Sequence, residues 1–263
     1  MSGIDSYGDW ARKHPQVVKT DHEVELMAKA GKICAEAFKT VLQKVNPGIT
    51  CKELDEIARH EILKRKALSS FMTVDEYKWT ICTTVNDEIV HGIPTKRVLE
   101  EGDILGIDMG ACFGGYHSDM ALTVPVGKIP NSTKIFLKKG QSVLKEAITQ
   151  AKVGSTIGNI SSTIQKLIEK SGYSVVKSLT GHGIGRLLHE DPMIPGFGKQ
   201  NTGPKILENM VLAVEVIYTQ GSGEVKLDPN GWTIRSKDNT LGGLFEQTIV
   251  VKKNGPIVLT PYL

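Results

Sequence analysis

The sequence lacks the features that mark membrane-bound and secreted proteins. No apolar run among its 263 residues approaches the roughly 18 residues that indicate a membrane helix, and the longest candidate, 210–218, is interrupted by Glu215. The first nine residues contain no apolar signal core. We therefore expect a cytoplasmic protein with no membrane partner.

Charge of one sign is also lacking. The 32 Lys and Arg residues nearly balance the 29 Asp and Glu residues, which leaves a net charge of +3 at pH 7. So small an excess does not indicate a specific nucleic-acid partner. The hydrophobic fraction of 40% and the charged fraction of 23% are ordinary for a globular chain, which excludes intrinsic disorder.

Cysteine is scarce, and the motifs of several enzyme classes are missing. The four cysteines, at positions 34, 51, 82 and 112, form no Cys-x-x-Cys pair, which favours reduced thiols over a zinc knuckle or a disulfide framework. The sequence has no Gly-x-Gly-x-x-Gly turn, no phosphate-binding loop, no His-Glu-x-x-His helix and no Gly-x-Ser-x-Gly elbow. Nucleotide sites, helical zinc proteases and serine hydrolases therefore have no local signature.

Hydrophobic periodicity predicts pairs of helices that alternate with groups of strands. Asp21 is expected to cap a first helix that reaches about Val45, and Thr50 with Glu53 forms a capping-box pattern for a second that reaches about Arg65. Further helices are predicted at 131–151 and 156–171, and strands at 79–85, 103–109, 118–126, 173–176, 181–185, 211–218, 245–251 and 256–259. The repeated order indicates an internal pseudo-repeat, in which residues 1–20 form an arm and residues 21–263 a single domain.

Acidic residues inside apolar strands are the most informative pattern. Asp108, Glu215 and Glu246 interrupt apolar runs, and Asp119 directly precedes another. A buried carboxylate must be neutral, paired or metal-bound, because an unpaired one is very costly. Each alone could form a structural ion pair, but basic residues are few in these strands. Several carboxylates in one site require a cation, so the set predicts a site for Mn, Fe, Co or Zn.

Three histidines lie in tight turns. His182 is flanked by glycines in Gly-His-Gly-Ile-Gly, His189 follows in the same segment, and His91 precedes Gly-Ile-Pro. Glycines beside a histidine let the backbone approach a ligand closely, although a solvated glycine-rich turn explains the segment equally well. The remaining histidines are interpreted as surface or packing residues: His14, His22, His60 and His117. From the residues alone we predict a cytosolic hydrolase with a carboxylate-rich metal site.

Together these motifs resemble those of the methionine aminopeptidases. The resemblance rests on 86–94, Asp108, 117–119, 181–185, 189–192, Glu215 and 245–250, and it covers the chain from about residue 20 onward. Only 33 positions separate His182 from Glu215 (215 − 182), which leaves no room for a helical insert and resembles the type I subclass. The absence of an N-terminal extension with zinc motifs is similar to the bacterial-like form.

The resemblance implies a fold and a metal centre. The fold would be the α+β pita-bread fold, a curved, mostly antiparallel sheet flanked by helices with internal pseudo-twofold symmetry. Two divalent ions (Co, Mn, Fe or Zn) would be held by five ligands: Asp108, Asp119, His182, Glu215 and Glu246. Asp119 and Glu246 would bridge both ions, Asp108 would bind one, and His182 with Glu215 the other.

It also implies a reaction, the removal of the initiator methionine from nascent proteins and peptides with a small second residue. A hydroxide held between the ions would attack the scissile carbonyl, with Glu215 as the proton shuttle. His91 and His189 would lie outside the ligand set and hydrogen-bond the substrate. The partners would be the N-termini of nascent polypeptides, with transient contact to ribosomes that the slight positive charge permits, and the protein is expected to be a monomer.

The methionine side chain is expected to enter an apolar pocket. The predicted walls are Phe71, Tyr77, Cys82, Leu188 and Trp232, each of which could instead be plain core packing. The chain departs from the usual family residues at Val216, Leu188, Phe71 and Val74. These departures bear on the shape of the pocket and remove no metal ligand.

Three alternatives remain open on the sequence. The first is an X-Pro-directed peptidase of the same fold, but such relatives usually carry an additional N-terminal domain, whereas about 20 residues precede the first predicted helix here. The second is a non-catalytic binding homologue, and the third is a metal-free creatine hydrolase. Neither of these two would retain all five ligand types.

Overall fold

The computed structural model describes residues 17–262, which form four helices and thirteen strands. The helices are α1 (Asp21–Leu42), α2 (Cys51–Lys64), α3 (Asn131–Ile148) and α4 (Ile157–Glu169). The strands are β1 (Leu68–Ser69), β2 (Ile81–Val85), β3 (Glu88–Val90), β4 (Ile104–Phe113), β5 (Tyr116–Pro125), β6 (Ser174–Val175), β7 (Thr180–Gly183), β8 (Glu190–Pro195), β9 (Val211–Thr219), β10 (Val225–Leu227), β11 (Ile234–Ser236), β12 (Gly242–Lys252) and β13 (Gly255–Val258). His14 and the first 16 residues of the predicted arm lie outside the described residues. Within 17–262, no helix is both long and apolar enough to cross a bilayer.

Both N-terminal helices begin with a capping box. The predicted box of Thr50 and Glu53 is confirmed at the start of α2. The prediction of Asp21 as the cap of α1 is wrong, because Thr20 occupies the cap and accepts the backbone N–H of Glu23. Asp21 is the first helical residue, and its carboxylate instead accepts hydrogen bonds from Asn209 and Lys252.

Glu23 couples the start of α1 to the sheet and makes stability depend on pH. Its carboxylate accepts the Tyr116 hydroxyl at 2.6 Å and the Thr20 backbone N–H at 2.8 Å. These bonds, the Tyr116 bond foremost, lower the pKa of Glu23 from 4.5 to about 2. Because the folded-state pKa is the lower one, this contribution is fully present above pH 4.5 and is lost as the pH falls toward 2.

We expect Glu23→Gln to lower the free energy of unfolding at pH 7 by about 1–2 kcal/mol, because the hydrogen bonds to a charged acceptor are lost. The difference from the unchanged protein should shrink between pH 4.5 and pH 3. Urea unfolding at pH 7, 5 and 3 measures both effects. Glu25→Gln is the matched control, since the Glu25 side chain is 76% exposed on the same helix. A difference that does not vary with pH would contradict this account.

The larger sheet contains ten strands, and its strand pairs are antiparallel. Its main order is β1-β4-β5-β12-β9-β7-β8, while β10, β11 and β3 form a second, three-stranded sheet. The predicted hairpin is confirmed, since β4 and β5 pair from Ile104 opposite Pro125 to Phe113 opposite Tyr116. Gly114 and Gly115 turn the chain there with positive φ angles, which glycine adopts without strain. This sheet with its flanking helices confirms the predicted α+β class.

The helices cover one face of the large sheet. α1 packs on β4 and β5, and α3 packs on β9 and β12. Along β9, alternate residues such as Val214, Val216 and Tyr218 face the helices and belong to the core beneath α3 and α4. Since side chains alternate between the two faces of a strand, the residues between them, including Glu215, point away from the helices.

Several short strands are absent from the sequence-based prediction. β8 contains Pro192 and Pro195, which argue against a strand in a sequence, but β8 pairs with β7 alone at the edge of the sheet, where proline is tolerated. β3, β10 and β11 have only three residues each and lack a clear alternation. β10 and β11 pair as a local hairpin, and the distant β3 completes the sheet by pairing with β11.

Candidate metal centre

A row of opposed residues crosses five neighbouring strands of the large sheet. Asp108 on β4 lies opposite Cys82 on β2 and opposite Ala121 on β5. Ala121 in turn lies opposite Glu246 on β12, and Glu246 lies opposite Glu215 on β9. Residues that lie directly opposite each other in an antiparallel pair point to the same face. Three of the predicted ligands therefore share the face that is free of helices.

The other two predicted ligands reach the same face by alternation. Asp119 lies two positions before Ala121 on β5, and His182 lies opposite Ala213, two positions before Glu215 on β9. Because the side-chain period of a strand is two, both point with the row. The structure thus brings all five predicted ligands together, and all five line one cavity of 140 Å³.

Within residues 17–262, the four carboxyl groups of this cavity form no ion pair with Lys or Arg. Asp119 and Glu246 are 4% and 2% exposed. Glu215 Oε1 lies 3.7 Å from Nε2 of His182, which would make an ion pair only if the ring were protonated. Asp108 Oδ1 and Glu246 Oε1 are buried without a hydrogen-bond partner. The interpretation of these acids as structural ion pairs with Lys or Arg therefore finds no support.

Burial raises the pKa values of all four acids, and repulsion from neighbouring carboxylates adds to it in three of them. Burial raises the pKa of Asp108 well above its ordinary value, and the charge of Asp119 adds to it. The same two causes, in the same order, raise the pKa values of Glu215 and Glu246. Burial raises the pKa of Asp119 to about 7. Such a cluster is ionised at neutral pH only when a cation compensates it.

The imidazole of His182 is oriented to offer a free nitrogen. Its Nδ1 lies 2.8 Å from the carbonyl oxygen of Gly183, so an Nδ1–H donates there and Nε2 keeps its lone pair. Burial lowers the pKa of His182 to about 4, which keeps the ring neutral at pH 7. Ligand atoms of Asp119, His182 and Glu246 lie within 4.8 Å of one another. Carboxylate oxygens with one neutral imidazole fit a divalent transition metal.

Two further histidines, His91 and His189, line the cavity. His91 has a φ angle of 57°, a left-handed conformation that is unusual for a residue with a side chain and is typical of functional sites. A backbone hydrogen bond of 2.8 Å from Thr83 N–H to the Gly92 carbonyl holds this turn against β2. His189 packs edge-on against His182, with ring centroids 4.5 Å apart. Burial lowers the pKa values of both His91 and His189.

The predicted pocket walls form one apolar cluster beside the acids. The five walls predicted from the sequence all line the cavity, together with Val74 and Val90, which were not predicted as walls. Tyr77 is central, since its ring contacts Trp232 edge-on at 5.1 Å and Phe71 at 6.3 Å. Its hydroxyl lies 2.9 Å from the Ile81 carbonyl and 3.1 Å from Cys82 Sγ. The pocket is therefore apolar and lined by aromatic rings.

Two residues not identified from the sequence, Thr248 and Tyr262, have hydroxyl groups that hydrogen-bond the backbone of the strands that carry the acids. Thr248 Oγ1 accepts the backbone N–H of Asp119 at 2.9 Å and donates to its carbonyl at 2.7 Å. The Tyr262 hydroxyl donates to the Ala121 carbonyl at 2.7 Å and accepts the Glu246 backbone N–H at 3.2 Å. Alternation places Thr248 on the same face as Glu246, but no local signal marks Tyr262, which acts through backbone groups of two distant strands.

Known proteins are similar to this chain in both sequence and architecture. The sequence profile of metallopeptidase family M24 matches residues 25–253. Methionine aminopeptidase 1 of Bacillus subtilis is 41% identical over 244 residues, which cover 93% of this chain and 98% of that protein. These matches extend over nearly the whole chain, in agreement with the extent of the resemblance in the motifs.

Solved structures give the same result for the fold. The methionine aminopeptidase of Thermotoga maritima superposes with a TM-score of 0.91 at 36% identity, covering 92% of this chain and 98% of that one. The prolidase of Pyrococcus furiosus has a TM-score of 0.77 at 23% identity, and the match covers 96% of this chain but only 68% of the prolidase. The likeness to the prolidase shows the fold alone, and both likenesses confirm the pita-bread fold.

Proposed function

The chain belongs to metallopeptidase family M24 and, within it, to the methionine aminopeptidases, and we propose that it removes the N-terminal methionine from polypeptides whose second residue is small. The observation that carries the proposal is the set of four carboxyl groups and one histidine on a single sheet face, beside an apolar cavity. The acids supply the catalytic end, and the aromatic cluster supplies a place for one apolar side chain.

We propose that Asp108, Asp119, His182, Glu215 and Glu246 would hold two divalent ions. The unpartnered oxygens of Asp108 and Glu246 support this assignment, because buried carboxylate oxygens need a donor or a cation. When bound, divalent ions lower the pKa of coordinated water and polarise a carbonyl group.

Other roles in the reaction are assigned to side chains that line the cavity. Glu215 reaches the cavity with a 12% exposed side chain, so it can take a proton from the attacking water and pass it to the leaving amine. His91 and His189 are neutral at pH 7, and each offers one N–H donor to the scissile amide. The aromatic walls suit a methionine thioether, which contacts rings favourably.

His91→Ala is expected to lower kcat by about 100-fold, since removing one donor to the developing oxyanion costs at least that much. Metal content should stay unchanged, because His91 lies outside the assigned ligand set. Steady-state kinetics and elemental analysis of the same preparation test both points. His22→Ala is the control, since that ring is 79% exposed on α1. Loss of metal in His91→Ala would make His91 a ligand.

Peptide cleavage tests the proposal as a whole. Protein reconstituted with Mn, Fe or Co would be assayed on Met-Ala-Ser, Leu-Ala-Ser and an X-Pro tripeptide. We expect cleavage of the Met peptide, with much weaker cleavage of the Leu peptide. Preferred cleavage of the X-Pro peptide would favour the proline-directed alternative, and no cleavage with any metal would favour the binding homologue.

The proposal includes a cellular setting. The chain would act in the cytoplasm on N-termini that emerge from ribosomes, as a monomer whose catalytic domain spans residues 21–263. Its four cysteines are unpaired in the structure, which suits a reducing compartment. Co-sedimentation with ribosomes at increasing salt would test the ribosome contact, which should weaken as salt screens the charges.

A further inference from the structure

The turn that carries Leu188 and His189 is held by a hydrogen bond at each end. The His117 backbone N–H donates to the Gly185 carbonyl at 2.8 Å, which holds the start of the turn against β5. Glu190 closes its other end, because its Oε1 accepts the Leu187 backbone N–H at 3.0 Å. The pocket wall and the substrate-facing histidine therefore lie within a single closed loop.

Lys19 contacts this loop through a buried ion pair with Glu190. Its Nζ lies 2.7 Å from Glu190 Oε2, and both side chains are only 4% exposed. A Cβ built on Gly185 would lie 2.5 Å from Lys19 Cε and 2.8 Å from the Glu190 oxygens, so the pair packs directly against the loop backbone. The Lys19 backbone is itself fixed, since its N–H donates to the Asn209 carbonyl at 3.0 Å.

A second ion pair joins the loop to the first turn of α1 and is exposed. Arg186 reaches Glu23 Oε1 at 3.3 Å and lies over the Tyr116 ring at 4.8 Å, but its side chain is 68% exposed. Exposed ion pairs are screened by solvent and hold geometry weakly, whereas a buried, hydrogen-bonded pair has a narrow set of geometries. One buried and one exposed ion pair thus join the loop to the region around the start of α1, and they form a matched pair for experiment.

We propose that Lys19 is a positioning residue that acts through Glu190 to hold His189 and Leu188 at the cavity. This inference rests on the peptidase function proposed above. Lys19 is not among the residues that line the cavity, so its effect on turnover would pass through the loop. A displacement of about 1 Å in a catalytic group can cost about 100-fold in rate, so the grip on the loop affects turnover.

The test is a double-mutant cycle between Lys19→Met and His189→Ala. Alone, Lys19→Met should lower kcat on Met-Ala-Ser by about 10-fold with unchanged metal content, and it should reduce the preference for Met-Ala-Ser over Leu-Ala-Ser. In the His189→Ala background, Lys19→Met should change kcat by less than about 2-fold, because the group it positions is gone. Arg186→Met should leave unchanged both kcat and the preference for Met-Ala-Ser over Leu-Ala-Ser.

Hydrogen exchange gives a readout that does not depend on activity. In Lys19→Met, peptides covering 185–190 should exchange faster, while Arg186→Met should leave them unchanged. Lys19→Met alone leaves the buried Glu190 carboxylate without its ion-pair partner, and the single variant could fold poorly for that reason. The double variant Lys19→Met/Glu190→Gln also removes the Glu190 charge, so it tests the role of the ion pair in that case too. Equal losses of kcat in both backgrounds, or unchanged exchange and kcat in the double variant, would overturn the proposal. If the protein without substitutions is inactive, but Lys19→Met and Arg186→Met show the expected hydrogen exchange, only the peptidase function is refuted.

Discussion

Glu215→Gln should abolish peptide hydrolysis, with kcat falling by about 1,000-fold or more, while the fold is retained. The amide keeps the volume and the strand position of the carboxylate but cannot accept a proton from water, and such proton transfer contributes about 100- to 10,000-fold. Measurement of kcat on Met-Ala-Ser, together with circular dichroism and elemental analysis, checks the result. The surface variant Glu224→Gln, with a side chain that is 65% exposed, should retain full activity.

Elemental analysis separates the two tasks assigned to Glu215. Activity lost with both ions retained supports its role as proton shuttle. Activity lost together with one ion would make ligation its dominant task. A fully active Glu215→Gln protein would contradict the mechanism.

The second large effect is a stability that depends jointly on metal and pH. Without a cation, the folded-state pKa values of Asp108, Glu215 and Glu246 lie well above their ordinary values, and that of Asp119 is about 7. An acid whose pKa is raised by folding binds more protons in the folded state, so stability is highest at low pH and falls as the pH rises through the folded-state value. Metal-free protein should therefore melt at a lower temperature at pH 7.5 than at pH 5.5.

Divalent metal should reverse this trend, because it binds the ionised carboxylates. At 100 times its dissociation constant, Mn²⁺ would add about 2.7 kcal/mol to the free energy of unfolding. For a chain of this size that corresponds to a rise of about 5–10 °C in melting temperature. Differential scanning fluorimetry of chelator-treated protein, with and without Mn²⁺ at both pH values, measures it.

A variant with fewer acids serves as the control for this effect. Asp108→Asn/Glu246→Gln keeps the side-chain volumes but removes two of the four charges. Its metal-free form should melt at a temperature that varies less with pH, and its response to Mn²⁺ should be largely lost. If the melting temperature of the unchanged protein ignored both pH and metal, the assignment of this centre would be contradicted.

The acids of the centre were readable from the sequence because of their surroundings. Asp108, Glu215 and Glu246 stand out in apolar strands, and the structure places them in one row since the strand register aligns them. Register itself was not readable, because it depends on pairing between strands that are more than 100 residues apart, as for Ala121 and Glu246. The sequence indicated which residues matter, and the pairing decided how they meet.

Other residues escaped the sequence because their contacts are not local. Thr20 and Asp21 are both good helix caps, and only the backbone geometry distinguishes them. Lys19 falls in the stretch predicted to be an arm, yet its side chain is buried against Glu190, 171 positions later. Tyr262 is an aromatic residue near the end of the chain, and its hydroxyl completes the pairing of β5 with β12.

That use of Tyr262 makes the acid cluster depend on residues far along the chain. The backbone N–H groups of Glu246 and Thr248 donate to the hydroxyls of Tyr262 and Thr260, and the Thr260 hydroxyl donates to the Asp119 carbonyl. Removal of residues 260–262 would therefore leave all five assigned ligands in the chain and take away only the hydroxyl groups that hold their strands in register. Alignment of the acids thus depends on side chains that would bind no ion themselves.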